Sequence, residues 1–419
     1  MRLTAIEEGH LRNGLPGTIG IAAVFPGEPF DLAWVRARVH ERWGGLDRMS
    51  LVPVPPAGPS ALSGHRWSAA RPFDPAAHIV ATDQDVNALL ADGVTQVLPA
   101  GRPLWRLLVT RRPTPAGEHA VVLLAHHALL DGRSLETLFR TLMDGAVPPR
   151  PSLVTAVARH RPSRLPGVGR ELRRIGAMGR PVPASSRGDA RPSVAVLGID
   201  PRVMRAARRQ PADGRGATLN ELLLSSYAGA LRAWAKGPGP FYATVPVDLR
   251  TRHTARQLGN GVTALRVPLP VDLDSPVARL RACQEQVAAF DDRCEAHRAI
   301  LPTLQAAARS VPWLAGVMAR RLARPELTTS LCTAFKWRDN PSHLHGRSLS
   351  RVVPLPQLSP PGTANLCLVH SADTYTLTVV SHLRPGDAEL LGSAVVRELE
   401  AVASAGTTVA RAVQGLRTP

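Results

Sequence analysis

Residues 126–132 read His-His-Ala-Leu-Leu-Asp-Gly. Two adjacent imidazoles with a carboxylate four residues beyond the second suit acid–base chemistry near neutral pH. A turn leaving a buried strand can hold an imidazole rigidly at a cleft, where histidine works as a general base. Asp131 is suited to fixing the turn, and Gly132 leaves room beside the imidazole for a substrate to pass. The bland alternative is a loop whose histidines are simply hydrogen-bonded. Other constellations are poorer. His343-Leu344-His345 has metal-ligand spacing but no carboxylate or cysteine set beside it, so no metal site is expected. GxSxG, P-loop and GxGxxG patterns are absent, leaving serine hydrolase, nucleoside-triphosphate and dinucleotide readings without a site. Cys283, Cys294, Cys332 and Cys367 form no CxxC pair, and Cys283 and Cys294, in helix-like sequence, read as packing residues.

The elements that must carry the turn are legible. His119–Ala125 is an all-apolar run that predicts a strand buried on both faces. After the turn, Leu135, Leu138, Phe139, Leu142 and Met143 mark one side of a helix. Asp31 can cap an earlier helix with the stripe Leu32, Val35, Val39 and Trp43. Further along, Thr218 and Glu221 stand in capping-box spacing ahead of a helix through Trp234. Strands are predicted over Phe241–Val247, Val262–Leu269, Asn365–His370 and Thr374–Ser381, the last two as a hairpin. A final helix starts at Asp387. Helices and strands without regular alternation predict an α+β fold. Arg150–Arg191 holds ten arginines against two acids and is rich in Pro and Gly, with Leu172–Met178 as a short candidate helix. It divides the chain into a lobe of residues 1–148, an interlobe segment 149–192 and a lobe of residues 193–419.

The chain has 419 residues, 44% of them hydrophobic, which excludes wholesale disorder and suits two lobes. The longest apolar stretch, Ala120–Ala125, is far short of the roughly 20 residues of a membrane span. The first residues do not read as a signal peptide, and a cytoplasmic location is expected. The net charge is +18, and all but two of the 51 cationic side chains are arginine. Such a balance attracts anions: nucleic acid, an acidic carrier protein, a phosphate-bearing cofactor or an anionic membrane. Nucleic acid is not expected, because the aromatic–basic interleaving of a binding platform is missing.

HHxxxDG is the signature of the thioester-dependent acyltransferases that include chloramphenicol acetyltransferase and nonribosomal peptide condensation domains. The wider pattern most resembles the bacterial wax ester synthase/diacylglycerol acyltransferase group. AIEEGHLR resembles that group's opening motif, and Pro103-Leu104-Trp105 its PLW motif. ATLNELLLSSYAGALRAW, with Asn220, is similar to its NDVVL helix, with Glu221 in place of the aspartate. VPVDLR (245–250) followed by LGN (258–260) is similar to its VPVSLR…GN stretch. The charged segment CTAFKWRDNP (332–341) replaces the group's Pro-Gly turn. That departure, with few aromatics and no long apolar surface segment, leaves a small polar acceptor open beside a wax or triacylglycerol product.

The resemblance implies two related chloramphenicol acetyltransferase-like lobes with a tunnel between them and His127 at its middle as the general base, with His126 packing and orienting rather than reacting. It implies acyl transfer from a thioester to a hydroxyl or amine without a covalent acyl-enzyme. Acyl-coenzyme A or a phosphopantetheinyl carrier protein would be the co-substrate, with no bound cofactor. Arg250 would pair with Asp131 from the other lobe, and Ser330 or Thr333 would supply the oxyanion donor. A monomer is expected, with peripheral membrane contact left open. Two other classes compete: a catalytically silent relative that binds a carrier protein or ligand, and a basic nucleic-acid binder.

Overall fold

The computed structural model describes residues 1–58, 63–69, 73–147, 165–210, 215–234, 237, 239–328, 330–337 and 342–415. Two mixed sheets organise the chain. The first runs in the order Arg351–Leu355, Thr18–Pro26, Glu118–His126, Trp105–Thr110, Ile79–Thr82, antiparallel except for the last pair. Helices Leu32–Trp43 and Gly132–Leu142 cover one face, packing Val39, Trp43, Leu138 and Phe139 with Ile21 and Leu123. Helix Val86–Gly93 covers the other, packing Leu89 and Leu90 with Val122 and Leu124. Glu118–His126 is therefore central and buried on both sides, as its apolar run predicts.

The second sheet runs Arg191–Ile199, Thr374–Leu383, Ala364–Ser371, Ser330–Lys336, Phe241–Asp248, Val262–Leu269. Helices Leu219–Trp234, Pro276–Ala288 and Asp387–Gly415 pack together over it. The Thr218–Glu221 capping box forms, with each side chain accepting from the other's backbone N–H. The predicted hairpin pairs Asn365 with Val380. The α+β expectation is met.

Two features lay beyond local pattern. The strand Arg351–Leu355 belongs by sequence to the second half, yet it pairs with Thr18–Pro26 in register Ala23 to Val352 and completes the first sheet. Part of the Arg/Pro-rich segment lies outside the described residues; its described helix is Leu165–Gly176. That helix is held by a carboxylate rather than an apolar stripe. Buried Glu171 accepts from Arg293 Nε at 2.8 Å and Nη2 at 3.1 Å, while Leu172 is exposed.

The halves are also latched by charge. Asp131 is fully buried and caps helix Gly132–Leu142, its Oδ1 accepting from Ser134 N at 2.7 Å. Its Oδ2 accepts from Arg250 Nη2 and from Gly261 N, both at 2.8 Å. Arg250 Nη2 also donates to Gly259 O at 2.9 Å, and Nη1 to Asp248 Oδ1 at 3.0 Å. A Cβ at Gly261 would stand 2.7 Å from the Arg250 guanidinium carbon, so the backbone approaches this closely only as glycine. Removing one partner leaves an uncompensated buried charge. Asp131→Ala and Arg250→Ala are each expected to destabilise by about 3–5 kcal/mol in urea unfolding. The double variant should lose clearly less than the sum; strict additivity would show that the two do not share an interaction.

Candidate active site

The turn after Glu118–His126 is tied down at every backbone group that faces a neighbour. His127 N donates to Gly17 O at 2.7 Å. Gly17 has φ +66°, and a Cβ there would lie 2.5 Å from His126 Nε2, so only glycine fits under that ring. His126 Nδ1 accepts from Ala128 N at 3.0 Å, which leaves the ring proton on Nε2. Burial, then the neighbouring His127, push His126 down to about 4.

The carbonyls of the turn are held from both halves. Asn260 Nδ2 donates to His127 O at 2.9 Å and Ala128 O at 3.1 Å. Arg48 Nε donates to Leu129 O at 2.8 Å, and its Nη2 to Ala128 O at 3.2 Å. Arg48 is itself buried against the Glu7 carboxylate, which also accepts from Trp67 Nε1 at 3.2 Å. The opening helix Ala5–Arg12 is thereby docked through Glu7 to the turn that carries His127.

These bonds decide the tautomer of His127. With the Asn260 amide nitrogen donating to two carbonyls, Oδ1 is the face turned to His127 Nδ1, 3.3 Å away. An amide oxygen only accepts, so Nδ1 carries the proton and Nε2 is the free lone pair. Burial pushes His127 below the usual imidazole value, offset in part by its own carbonyl, Asp131 and Asn260. His10 stacks flat on His127, ring centroids 4.1 Å apart and planes 8° apart. Burial first, then His127 and His126, lower His10 well below the ordinary value, and its buried Nδ1 has no hydrogen-bond partner among the described residues. Gly132 opens the helix beside the turn, and nothing lies within 4 Å of where its Cβ would stand.

The structure brings His126, His127, Asp131, Gly132 and Arg250 together. The other candidates sit on the second sheet and its helix. Asn220 Oδ1 accepts from Ala334 N at 2.9 Å, joining helix Leu219–Trp234 to strand Ser330–Lys336. Ser330 is fully buried, its hydroxyl bonded to that of Tyr227. Thr333 is partly exposed. Among the described residues, no hydrogen bond joins these three to His127. Part of 332–341 lies outside the described residues. His343 and His345 are both exposed, and no group of three metal-binding side chains is found among the described residues. Sequence reasoning assigned no role to His10, Gly17, Arg48, Asn260 or Gly261. AIEEGHLR and LGN were visible as runs, but not what their side chains touch.

No family model matches the chain. It is 28% identical over 292 residues to a protein of Mycobacterium tuberculosis named "Putative diacyglycerol O-acyltransferase", covering 58% of this chain and 57% of that one. The chain thus spans little more than half the length of the curated relatives it matches. Among solved structures it resembles the wax ester synthase/diacylglycerol acyltransferase of Marinobacter aquaeolei VT8, with TM-score 0.63 and 16% identity. That match covers 96% of this chain and 100% of the other. It also resembles the starter condensation domain of rhizomide synthetase, solved in complex with C8-CoA and Leu-SNAC. There the TM-score is 0.62 and the identity 14%, over 96% and 94% of the two chains. The chain therefore has the two-lobed fold of the HHxxxDG thioester-dependent acyltransferases and is similar in sequence to proteins named as diacylglycerol O-acyltransferases.

Proposed function

We propose that the protein moves an acyl group from an acyl thioester, coenzyme A or phosphopantetheinyl carrier, to the hydroxyl or amine of a second substrate. The observation that carries this reading is the free Nε2 of His127. Its partner nitrogen is committed to Asn260, and its backbone is tied to both halves of the molecule. A neutral imidazole so held takes the proton of an acceptor O–H or N–H as the heteroatom attacks the thioester carbonyl. The tetrahedral intermediate expels the thiolate, which recovers the proton from the imidazolium. Ester or amide and free thiol result, and no acyl-enzyme is needed. Burial keeps His127 unprotonated, and among the described residues no carboxylate lies against its ring. Gly132 is exposed beside the turn, which supports access of a substrate there. For the developing oxyanion, Thr333 is the candidate we retain ahead of Ser330, whose hydroxyl is engaged with Tyr227. The fold shared with a condensation domain solved with C8-CoA supports a coenzyme A thioester as donor. The relatives named as O-acyltransferases support a hydroxyl acceptor.

The direct test is mass spectrometry after incubation with a panel of acyl thioesters, alcohols and amines. Ester or amide product dependent on His127 is expected; thioester hydrolysis alone would overturn the reading. His127→Ala should lower turnover by about 10²–10⁴-fold with unchanged circular dichroism.

The pH dependence has a defined sign. A base works when unprotonated, and His127 is lowered, so the acid limb of kcat/KM should lie below the ordinary imidazole value of 6.5. His10→Ala removes the ring covering one face of His127 and should move that limb upward, toward 6.5. An unmoved limb would separate His10 from the base. His126 contributes stability that is complete above 6.5 and lost as pH falls toward 4, because the unfolded chain then binds the proton first. Thermal melts across that window should fall more steeply for the parent than for His126→Gln.

A further inference from the structure

Helix Pro312–Leu322 is packed the wrong way round for a helix in water. Its inward side is made of Ala315, Gly316 and Ala319, which lie against the opening helix Ala5–Arg12. The approach is close: a Cβ on Gly9 would stand 3.3 Å from Ala319 Cβ, and one on Gly316 would stand 3.0 Å from Arg12 Cδ. The bulky apolar side chains face out instead. Trp313 is 45% exposed, Val317 39%, Met318 37% and Leu322 42%. A surface helix ordinarily buries such residues and exposes the small or polar ones. Arg320, Arg321 and Arg324 are exposed on or just after the same helix. From Ala296 to Pro325 the chain has five arginines and no Asp or Glu.

We propose that this face is a peripheral docking surface for an anionic lipid bilayer, with Trp313, Val317, Met318 and Leu322 entering the headgroup boundary and the arginines meeting lipid phosphates. Composition and geometry both select this partner. An interfacial helix combines a Trp-containing apolar face with a cationic rim, and low overall hydropathy keeps it from spanning. Among the described residues no helix is long and apolar enough to cross a membrane. Placement gives the contact a use. The docking helix lies against Ala5–Arg12, the helix whose His10 covers His127, so the surface is one helix away from the proposed base. Lipid-derived acyl chains or acceptors would then reach the site without crossing water. The proposal goes beyond the acyltransferase reading and does not rest on it, because binding is measured without turnover.

The test is flotation of the full chain with vesicles of phosphatidylcholine alone and of phosphatidylcholine containing 30 mol% phosphatidylglycerol, where about 30 is a conventional anionic load. Binding to the anionic vesicles is expected, weakening as salt is raised. Arg321→Gln with Arg324→Gln should weaken partitioning roughly 25-fold, about fivefold per arginine. Trp313→Ala with Met318→Asn should abolish the residual binding at high salt. All four positions are exposed, so unchanged melting temperatures will confirm that the variants are folded. Equal flotation of parent and both variants would overturn the proposal. So would failure to bind vesicles combined with retention on an acidic acyl carrier protein that the arginine changes abolish.

Discussion

A carboxylate taken wholly out of water must be met by donors, and the way Asp131 is met organises the molecule. One oxygen starts helix Gly132–Leu142 through Ser134, and the other receives Arg250 and the Gly261 backbone. The residue ends the turn that presents His127, while two of its three donors come from the second half of the chain. Closing the halves and setting the turn that carries His127 are therefore one event. Ser134 reinforces the same junction, its hydroxyl donating to Gly259 O at 2.9 Å and lying 3.0 Å from Gly259 N. Buried charge pairs contribute little net stability but are costly to break, which suits a device that specifies one arrangement.

The imidazoles at the centre depend on a second constraint, neutrality. His10, His126 and His127 share one half-buried region, and none has a carboxylate in contact with its ring among the described residues. Desolvation acts against protonation in all three, and repulsion adds to it at His10 and His126. For the proposed role this costs base strength, and Nε2 in return keeps its lone pair below the ordinary imidazole value. Asp131 stands behind the turn rather than against the imidazole, so its charge offsets the depression only in part.

The arginine surplus divides in the same terms. Arg48, Arg250 and Arg293 are buried, each bonded to a carboxylate and to backbone carbonyls that a folded turn or strand leaves open. A guanidinium satisfies several acceptors in one plane, which a lysine could not do. Arg321 and Arg324 belong to the other population, set out toward solvent beside apolar side chains. Net charge alone does not separate scaffold from surface.

What the sequence by itself determined is what local chemistry dictates. The central strand follows from Ala120–Ala125, the helix caps from Asp31 and the Thr218–Glu221 spacing, and the hairpin from two strands around Ser371–Asp373. The His-His-x-x-x-Asp-Gly run pointed to the turn, and its resemblance to the acyltransferase signature nominated His127. The tertiary structure decided everything that joins residues distant in the chain. It brought Arg351–Leu355 back to the first sheet and placed Glu7 under Arg48. It set Asn260 on the carbonyls of the turn, laid His10 on His127, and turned Trp313 outward because the inward side had room only for Ala and Gly. None of these leaves a periodic trace, because each side chain's environment is supplied by a segment whose position is unknown until the chain has folded.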